Sequence, residues 1–271
     1  QSNPSRITEF EASNGFEIKP TSFSFIIDKD IEINEVYAMF VGSKDYVTIG
    51  NNMELEQNTR FNNNIPINIS PIAETLTWKG DIYIDNLTVI DKPVTILPGT
   101  SIYLGSKASI IFKNQVKSVG NKSNKINFIK SGENSWGVVA LVGKKTKDSV
   151  IEHTNLSGGS GGYYDGYEFT GMFSIYSSEG VKMSKISISD NTEYDDLIHI
   201  LYSNGIKFSD SIIFNARADA IDIDISDVEI DNCSFFNSGN DAIDSMTSKV
   251  LITNTFIDEA GDKGISAGES S

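Results

Sequence analysis

The sequence predicts an all-β solenoid, a parallel β-helix wound in coils of about 22 residues. Three observations carry this. First, the chain repeats: Ile206-Lys-Phe-Ser-Asp210 lies over Val228-Glu-Ile-Asp-Asn232 and Val250-Leu-Ile-Thr-Asn254, each 22 residues after the last. The following halves align too, with Asn215-Ala-Arg-Ala-Asp219-Ala-Ile-Asp222 over Asn237-Ser-Gly-Asn-Asp241-Ala-Ile-Asp244. Second, each repeat holds short runs of alternating apolar and polar residues rich in Ile, Val and Phe. Asn, Asp, Ser and Gly separate them, which is strand-turn-strand punctuation. Third, no segment shows helical periodicity, so helical and leucine-rich solenoids do not fit.

The elements follow in chain order. Gln1-Ser2-Asn3 reads as the remnant of a cleavable tag, outside the fold. Residues 4–78 read as a small β-rich unit or cap, with strands expected at 16–18, 23–27, 31–33, 37–40, 46–49 and 53–55. A cap suits a solenoid, whose open end exposes core and unpaired strand edge. From residue 79 to 271 the texture is coil after coil: 87–104, 108–112, 116–120, 125–129, 136–141 and 149–153, then the regular repeats. Asp196-Leu-Ile-His199 stands one coil before the first Asp-Ala-Ile-Asp, and Asp258-Glu-Ala-Gly-Asp262-Lys-Gly-Ile-Ser266 is the last copy, one residue short. With eight or nine coils expected, the end at Ser271 reads as a cut within a longer polypeptide.

Composition narrows the chemistry. No stretch approaches the ~20 apolar residues of a membrane span. One cysteine, Cys233, and two histidines, His153 and His199, exclude an internal disulfide and any Cys-rich or multi-histidine metal centre. A cation is therefore expected to be held by oxygen, as calcium or magnesium is. Of the net charge of −15, −13 falls between Asp190 and Ser271, where 17 acidic side chains face four basic ones. That field repels phosphate backbones, so nucleic acid is not the partner. It repels an anionic polysaccharide as well, unless a cation bridges the two.

Stacking the repeats turns motifs into columns. If Ile221 and Ile223 point inward, Asp222 and Asp224 point outward. His199 then falls one coil above Asp222, and Asp244 one coil below it. Carboxylates ~4.8 Å apart repel by ~0.9 kcal/mol in water and ~3.5 kcal/mol at an effective dielectric of ~20. Such a column is a solvated face, a cation site, or an acid/base site working on a sugar; His199, Asp222, Asp224 and Asp244 are the catalytic candidates. Asp219, Asp241, Asp222 and Asp244 are the candidate ligands for Ca2+. Asp219, Asp241 and Asp262 serve equally to cap the incoming strand. Asp210, Asn232 and Asn254, each just after a strand, read as a structural ladder of turn residues. In Ser157-Gly-Gly-Ser-Gly-Gly-Tyr-Tyr-Asp-Gly-Tyr-Glu-Phe169 a flexible loop presents Tyr163, Tyr164 and Tyr167, either to stack on sugar rings or to fold back over a sheet.

Val94-Thr-Ile-Leu-Pro-Gly-Thr-Ser-Ile102, Ile110-Ile-Phe112, Trp136-Gly137 and Gly261-Asp-Lys-Gly-Ile-Ser-Ala-Gly-Glu269 together give the chain a family resemblance. It resembles right-handed parallel β-helix proteins of the secreted and bacterial cell-surface type, the pectate-lyase-like superfold. It is also similar to the β-helix segments that accompany CotH-type kinase-like domains. The resemblance spans roughly residues 79–271 and implies a right-handed coil and an extracytoplasmic setting. Lyases of this fold pair a basic residue with acidic metal ligands, which points to Arg217 and Lys249. The long faces suit an extended polymer, so the leading expectation is a module that binds a polysaccharide. A lyase, hydrolase or epimerase acting near His199, Asp222 and Asp244, and a structural or adhesive rod, are the alternatives.

Overall fold

Eight times the chain runs through three short strands joined by turns, and each strand pairs in parallel with its counterpart one coil away. The computed structural model describes residues 36–39, 46–49 and 75–271. The chain divides into two units, Gln1–Asn68 and Ile69–Ser271. In the first, Val36–Met39 pairs antiparallel with Tyr46–Ile49, close to two of the expected strands. The strands expected at 16–18, 23–27, 31–33 and 53–55 lie outside the described residues.

The second unit is the parallel β-helix. Sheet 1 runs from Leu76–Trp78 to Lys249–Thr253, sheet 2 from Asp81–Ile84 to Phe256–Ala260, and sheet 3 from Thr88–Ile90 to Ile265–Ala267, each with eight strands. Inward side chains alternate with outward ones, and the inner set is Ile, Val, Leu and Phe stacked on themselves: Ile198 over Ile221 over Ile243, Ile206 over Val228 over Val250. β-Branched residues suit this pleated, close-packed wall. The regular coils step by 22 residues, as at Ile221 to Ile243, but two earlier steps are longer: 29 residues from Ile110 to Val139 and 34 from Val139 to Phe173.

The turns are held from coil to coil. Asp210, Asn232 and Asn254 all adopt left-handed backbone (φ 50°, 51° and 49°), a conformation Asn and Asp tolerate because their side chains bond locally. The ladder is shorter than expected. Asn232 Nδ2 donates to Asp210 Oδ1 at 2.6 Å, but Asn254 Nδ2 turns to Asp231 Oδ1 at 2.8 Å. A second ladder links Asp190, Asn215 and Asn237 at 2.9 and 3.0 Å. Between sheets 3 and 1 a serine column does similar service. The amide of Ser178 donates to Ser203 Oγ, that of Ser203 to Ser226 Oγ, and that of Ser226 to Ser248 Oγ, at 3.0–3.1 Å.

The serine column sits where backbone groups are out of reach of water, so losing one hydroxyl leaves a buried amide unpaired. Ser226→Ala is expected to lower stability by about 1–3 kcal/mol, read as a lower urea midpoint with an unchanged slope. Thr253→Ala, at an exposed position on sheet 1, is expected to change it far less.

Candidate functional site

The strands Ile221–Asp224 and Ile243–Met246 of sheet 3 alternate inward and outward, Asp196–Leu201 is buried throughout, and the isoleucines of all three fill the core. What remains faces outward in two columns. Register places Ser174, His199, Asp222, Asp244 and Ser266 one above the next, and beside them Tyr176, Leu201, Asp224 and Met246. The predicted order of His199, Asp222 and Asp244 is the order observed.

The outer face of sheet 3 changes character along these columns. Over the coils from Ile111 to Leu201 it is largely apolar and covered. Ile111, Val138, Ala140, Val142, Phe169, Tyr176 and Leu201 form a second buried cluster, with Tyr164 and Tyr167 packed against it. The cover is a β-hairpin, Gly162–Tyr164 paired antiparallel with Tyr167–Phe169. Asp165 and Gly166, both at positive φ (50° and 81°), form its turn. The segment expected to be a flexible loop is thus an ordered hairpin, and its Asp-Gly dipeptide was the available signal. Its glycines serve close packing: a Cβ on Gly159 would lie 2.4 Å from Met172 and 2.6 Å from the ring of Trp136. Of the three tyrosines, Tyr164 and Tyr167 fold back over the sheet, while Tyr163 stays exposed and bonds Glu168 through its hydroxyl.

His199 lies at the step where the cover ends. It is 7% exposed. Its ring meets that of Tyr176 edge-on, with centroids 5.1 Å apart at 79°. Nδ1 is 2.8 Å from Tyr176 Oη and 2.7 Å from Thr170 Oγ1. The single hydroxyl proton of Tyr176 goes to the carbonyl of Glu168 at 2.9 Å, and Thr170 hydrogen-bonds Asp196. Both oxygens are therefore left to accept, and Nδ1 must carry the proton. Nε2 then faces the open side of the step, 3.4 Å from Asp224 Oδ2 and 3.8 Å from Asp222 Oδ2, with no hydrogen-bond partner among the described residues. Gly171, in register with Asp196, makes the fit possible, because a Cβ there would lie 2.5 Å from the His199 amide.

Asp196, sequence-adjacent to the expected site but not counted in it, completes the cluster. It is almost fully buried, and one ligand atom from each of Asp196, His199 and Asp222 lies within 4.8 Å of the others. Burial lifts the Asp222 carboxyl to about 7, against the pull of His199 and aided by Asp224, Asp196 and Asp244. Burial likewise lifts Asp196 to about 6, with His199 and the Thr170 bond opposing it. Burial alone depresses His199, but the carboxylates of Asp224, Asp222 and Asp196 outweigh it and raise its affinity for a proton.

The other candidates lie differently. Asp219 Oδ1 accepts the amide of Asp241 one coil on, and the Asn240 amide group, both at 2.8 Å; Asp241 Oδ1 accepts the Lys263 amide at 2.8 Å. These aspartates hold the turn between coils, and neither is in the group of convergent ligand atoms. Asp244 stands below Asp222 on the ledge. Arg217 pairs with Asp195 at 2.9 Å, on a turn held by Asn191, whose Oδ1 accepts the Arg217 amide at 2.8 Å. Thr170 and Tyr176 carried no sequence signal of a site, since both belong to the irregular coil that bears the hairpin.

Fold and site together define the class: a right-handed parallel β-helix with a buried histidine and stacked carboxylates on one outer face. Residues 196–271 match the family model of the right-handed β-helix region. Comparison with curated protein sequences finds no match. Among solved structures, a candidate glycosyl hydrolase from Parabacteroides merdae is similar at 14% identity and a TM-score of 0.35, over 68% of this chain and 81% of that one. A tailspike protein of an Escherichia coli bacteriophage is similar at 10% and 0.27, over 72% and 38%. The mannuronan C-5 epimerase A-module of Azotobacter vinelandii is similar at 10% and 0.23, over 73% and 91%. At identities this low the likenesses say nothing of this chain's chemistry.

The protonation of the cluster has a measurable consequence. Asp222 and Asp196 hold protons in the folded chain at pH values where the unfolded chain, near 3.8, has released them. Their contribution to stability is thus greatest at acid pH and falls as pH rises from about 4 through about 7. In chelator-treated protein, Asp222→Asn is expected to gain urea resistance relative to wild type between pH 4.5 and 7.5, and an unchanged gap would contradict this.

Proposed function

We propose that the module binds an extended polysaccharide across the outer face of sheet 3, running over the ledge below the hairpin step. The observation that carries this is the change of surface at His199. Above it the sheet is covered by the hairpin; below it the same columns lie open, with Asp222, Asp224 and Asp244 presented beside Met246, which is 54% exposed. Carboxylate oxygens accept sugar hydroxyls, and an exposed thioether offers an apolar contact for the C–H face of a pyranose. The step gives the track a wall at one end, and Tyr163 on the hairpin stands exposed there. A polymer of this kind is met outside the cytoplasm, which is where we place the module.

One observation favours a second reading, that the ledge also transforms what it binds. Solvent binding alone gives no reason to bury a histidine with a fixed tautomer behind two partly exposed aspartates. A carboxyl that burial lifts to about 7, beside an oriented imidazole, is suited to acid/base work on a sugar. In this reading Asp222 and His199 exchange the proton, and Asp196, Thr170 and Tyr176 position them.

Binding to an array of neutral, amino and acidic oligosaccharides tests the first reading. A ligand is expected among extended glycans, with Asp224→Ala and Met246→Ala each weakening it about tenfold or more, and Lys207→Ala on sheet 1 leaving it unchanged. Binding that ignores the ledge variants, or no binding, overturns it. New reducing or unsaturated ends released by wild type but not by His199→Gln decide for the second reading.

A further inference from the structure

With its carboxyls ionised and its imidazole neutral, the cluster holds several acceptors directed at one another and, among the described residues, no donor at Nε2. Nδ1 of His199 carries the imidazole proton and holds it against Tyr176 and Thr170, so the neutral ring offers a lone pair at Nε2. That lone pair is buried, lacks a hydrogen-bond partner among the described residues, and lies 3.4 and 3.8 Å from the carboxylates of Asp224 and Asp222. Asp196 brings a further carboxylate oxygen within 4.8 Å of the His199 and Asp222 ligand atoms. Lone pairs directed at one another repel, and a buried polar atom without a partner costs free energy. The complement of such a pocket is a small cation. Asp196 is 3% exposed and His199 7%, so an ammonium group carried on a sugar has no way in, whereas a bare ion does.

We infer that Asp196, His199 and Asp222 bind one divalent transition-metal ion, of the manganese or zinc type, with the Asp224 carboxylate beside it. Two ligands each about 2.1 Å from one ion stand roughly 3–3.5 Å apart. Nε2 is 3.4 Å from Asp224 and 3.8 Å from Asp222, and the ligand atoms of Asp196, His199 and Asp222 lie within 4.8 Å of one another, so an ion would draw the three inward. The imidazole nitrogen decides the kind of metal. Calcium seeks six to eight oxygens at longer range, whereas one nitrogen with carboxylates suits first-row transition ions. The surrounding bonds fit a ligand held in place: Nδ1–H to Tyr176 and Thr170 fixes the ring, and the Thr170 hydroxyl steadies Asp196, as partners outside a metal's own ligands do. Asp222 and Asp224 reach solvent, with side chains 22% and 29% exposed, so the ion has an open side toward the ledge. The ion is not the all-oxygen calcium expected from the sequence, and it does not use Asp219, Asp241 or Asp244. It lies within the proposed glycan face but is read from ligand geometry alone.

The test is titration of chelator-treated protein with Mn2+, Zn2+ and Ca2+ by calorimetry, with electron spin-echo spectroscopy of the Mn2+-loaded chain. Saturation at one Mn2+ or Zn2+ per chain is expected, with Ca2+ at least about tenfold weaker and a histidine-nitrogen modulation in the spin-echo signal. Tyr176→Phe is expected to weaken Mn2+ about tenfold, and His199→Gln to abolish the nitrogen signal. The spectrum of the wild-type chain is decisive even if the His199 variant fails to fold. No bound ion, a preference for Ca2+, or bound Mn2+ without nitrogen modulation overturns the inference. Glycan binding by metal-free protein would leave the proposed function standing without the ion, and an ion bound by a chain that takes no glycan would do the reverse.

Discussion

Everything on the outside of this solenoid follows from the backbone hydrogen bonds that join one coil to the next. They fix register, and register places each outward side chain one strand spacing, ~4.8 Å, from its counterparts above and below. A residue choice made once is an isolated surface group; made in successive coils it becomes a column with its own electrostatics. The serines and asparagines of the turns use this to satisfy buried amides. On sheet 3 the same geometry stacks His199, Asp222 and Asp244, where neighbouring carboxyls and the imidazole compete for protons. The backbone sets the distance, and the side chains must find an answer to it.

The answer depends on the one place where the solenoid departs from regularity. The 34-residue coil step leaves room for a hairpin that lies back on sheet 3 and buries Tyr176. Tyr176 bonds the hairpin backbone on one side and the His199 ring on the other. The cover therefore fixes which nitrogen of His199 faces the aspartates. Site and cover are one construction: removing the hairpin exposes apolar Ile111, Val142 and Leu201 and frees the imidazole to turn.

Much of this was legible in the sequence, and the boundary is physical. A repeat of 22 residues reveals register directly, so the inward isoleucines, the outward aspartates and the place of His199 above Asp222 could be read before any coordinate. What periodicity cannot report is contact made across columns or by inserted segments. Thr170 and Tyr176 reach His199 diagonally from an irregular coil, and Asp196 stands at the head of its strand, where side-chain direction is set by the turn and by Asn191. Asn254 turning to Asp231 is a similar case: stacking predicts which residues are neighbours, while rotamers decide which of them bond. The role of Asp219 and Asp241 followed the same logic, since a carboxylate beside a stacked turn meets the next coil's amide first.

The unequal coil lengths also bear on how such a protein can change. Extra residues enter between strands of one coil, and the strands on either side keep their pairing. The hairpin is thus an insert whose length and sequence can drift while the stacked carboxylates stay where the ladder puts them. A lineage of these chains could exchange one insert for another and alter what reaches the ledge, with the wall beneath inherited intact.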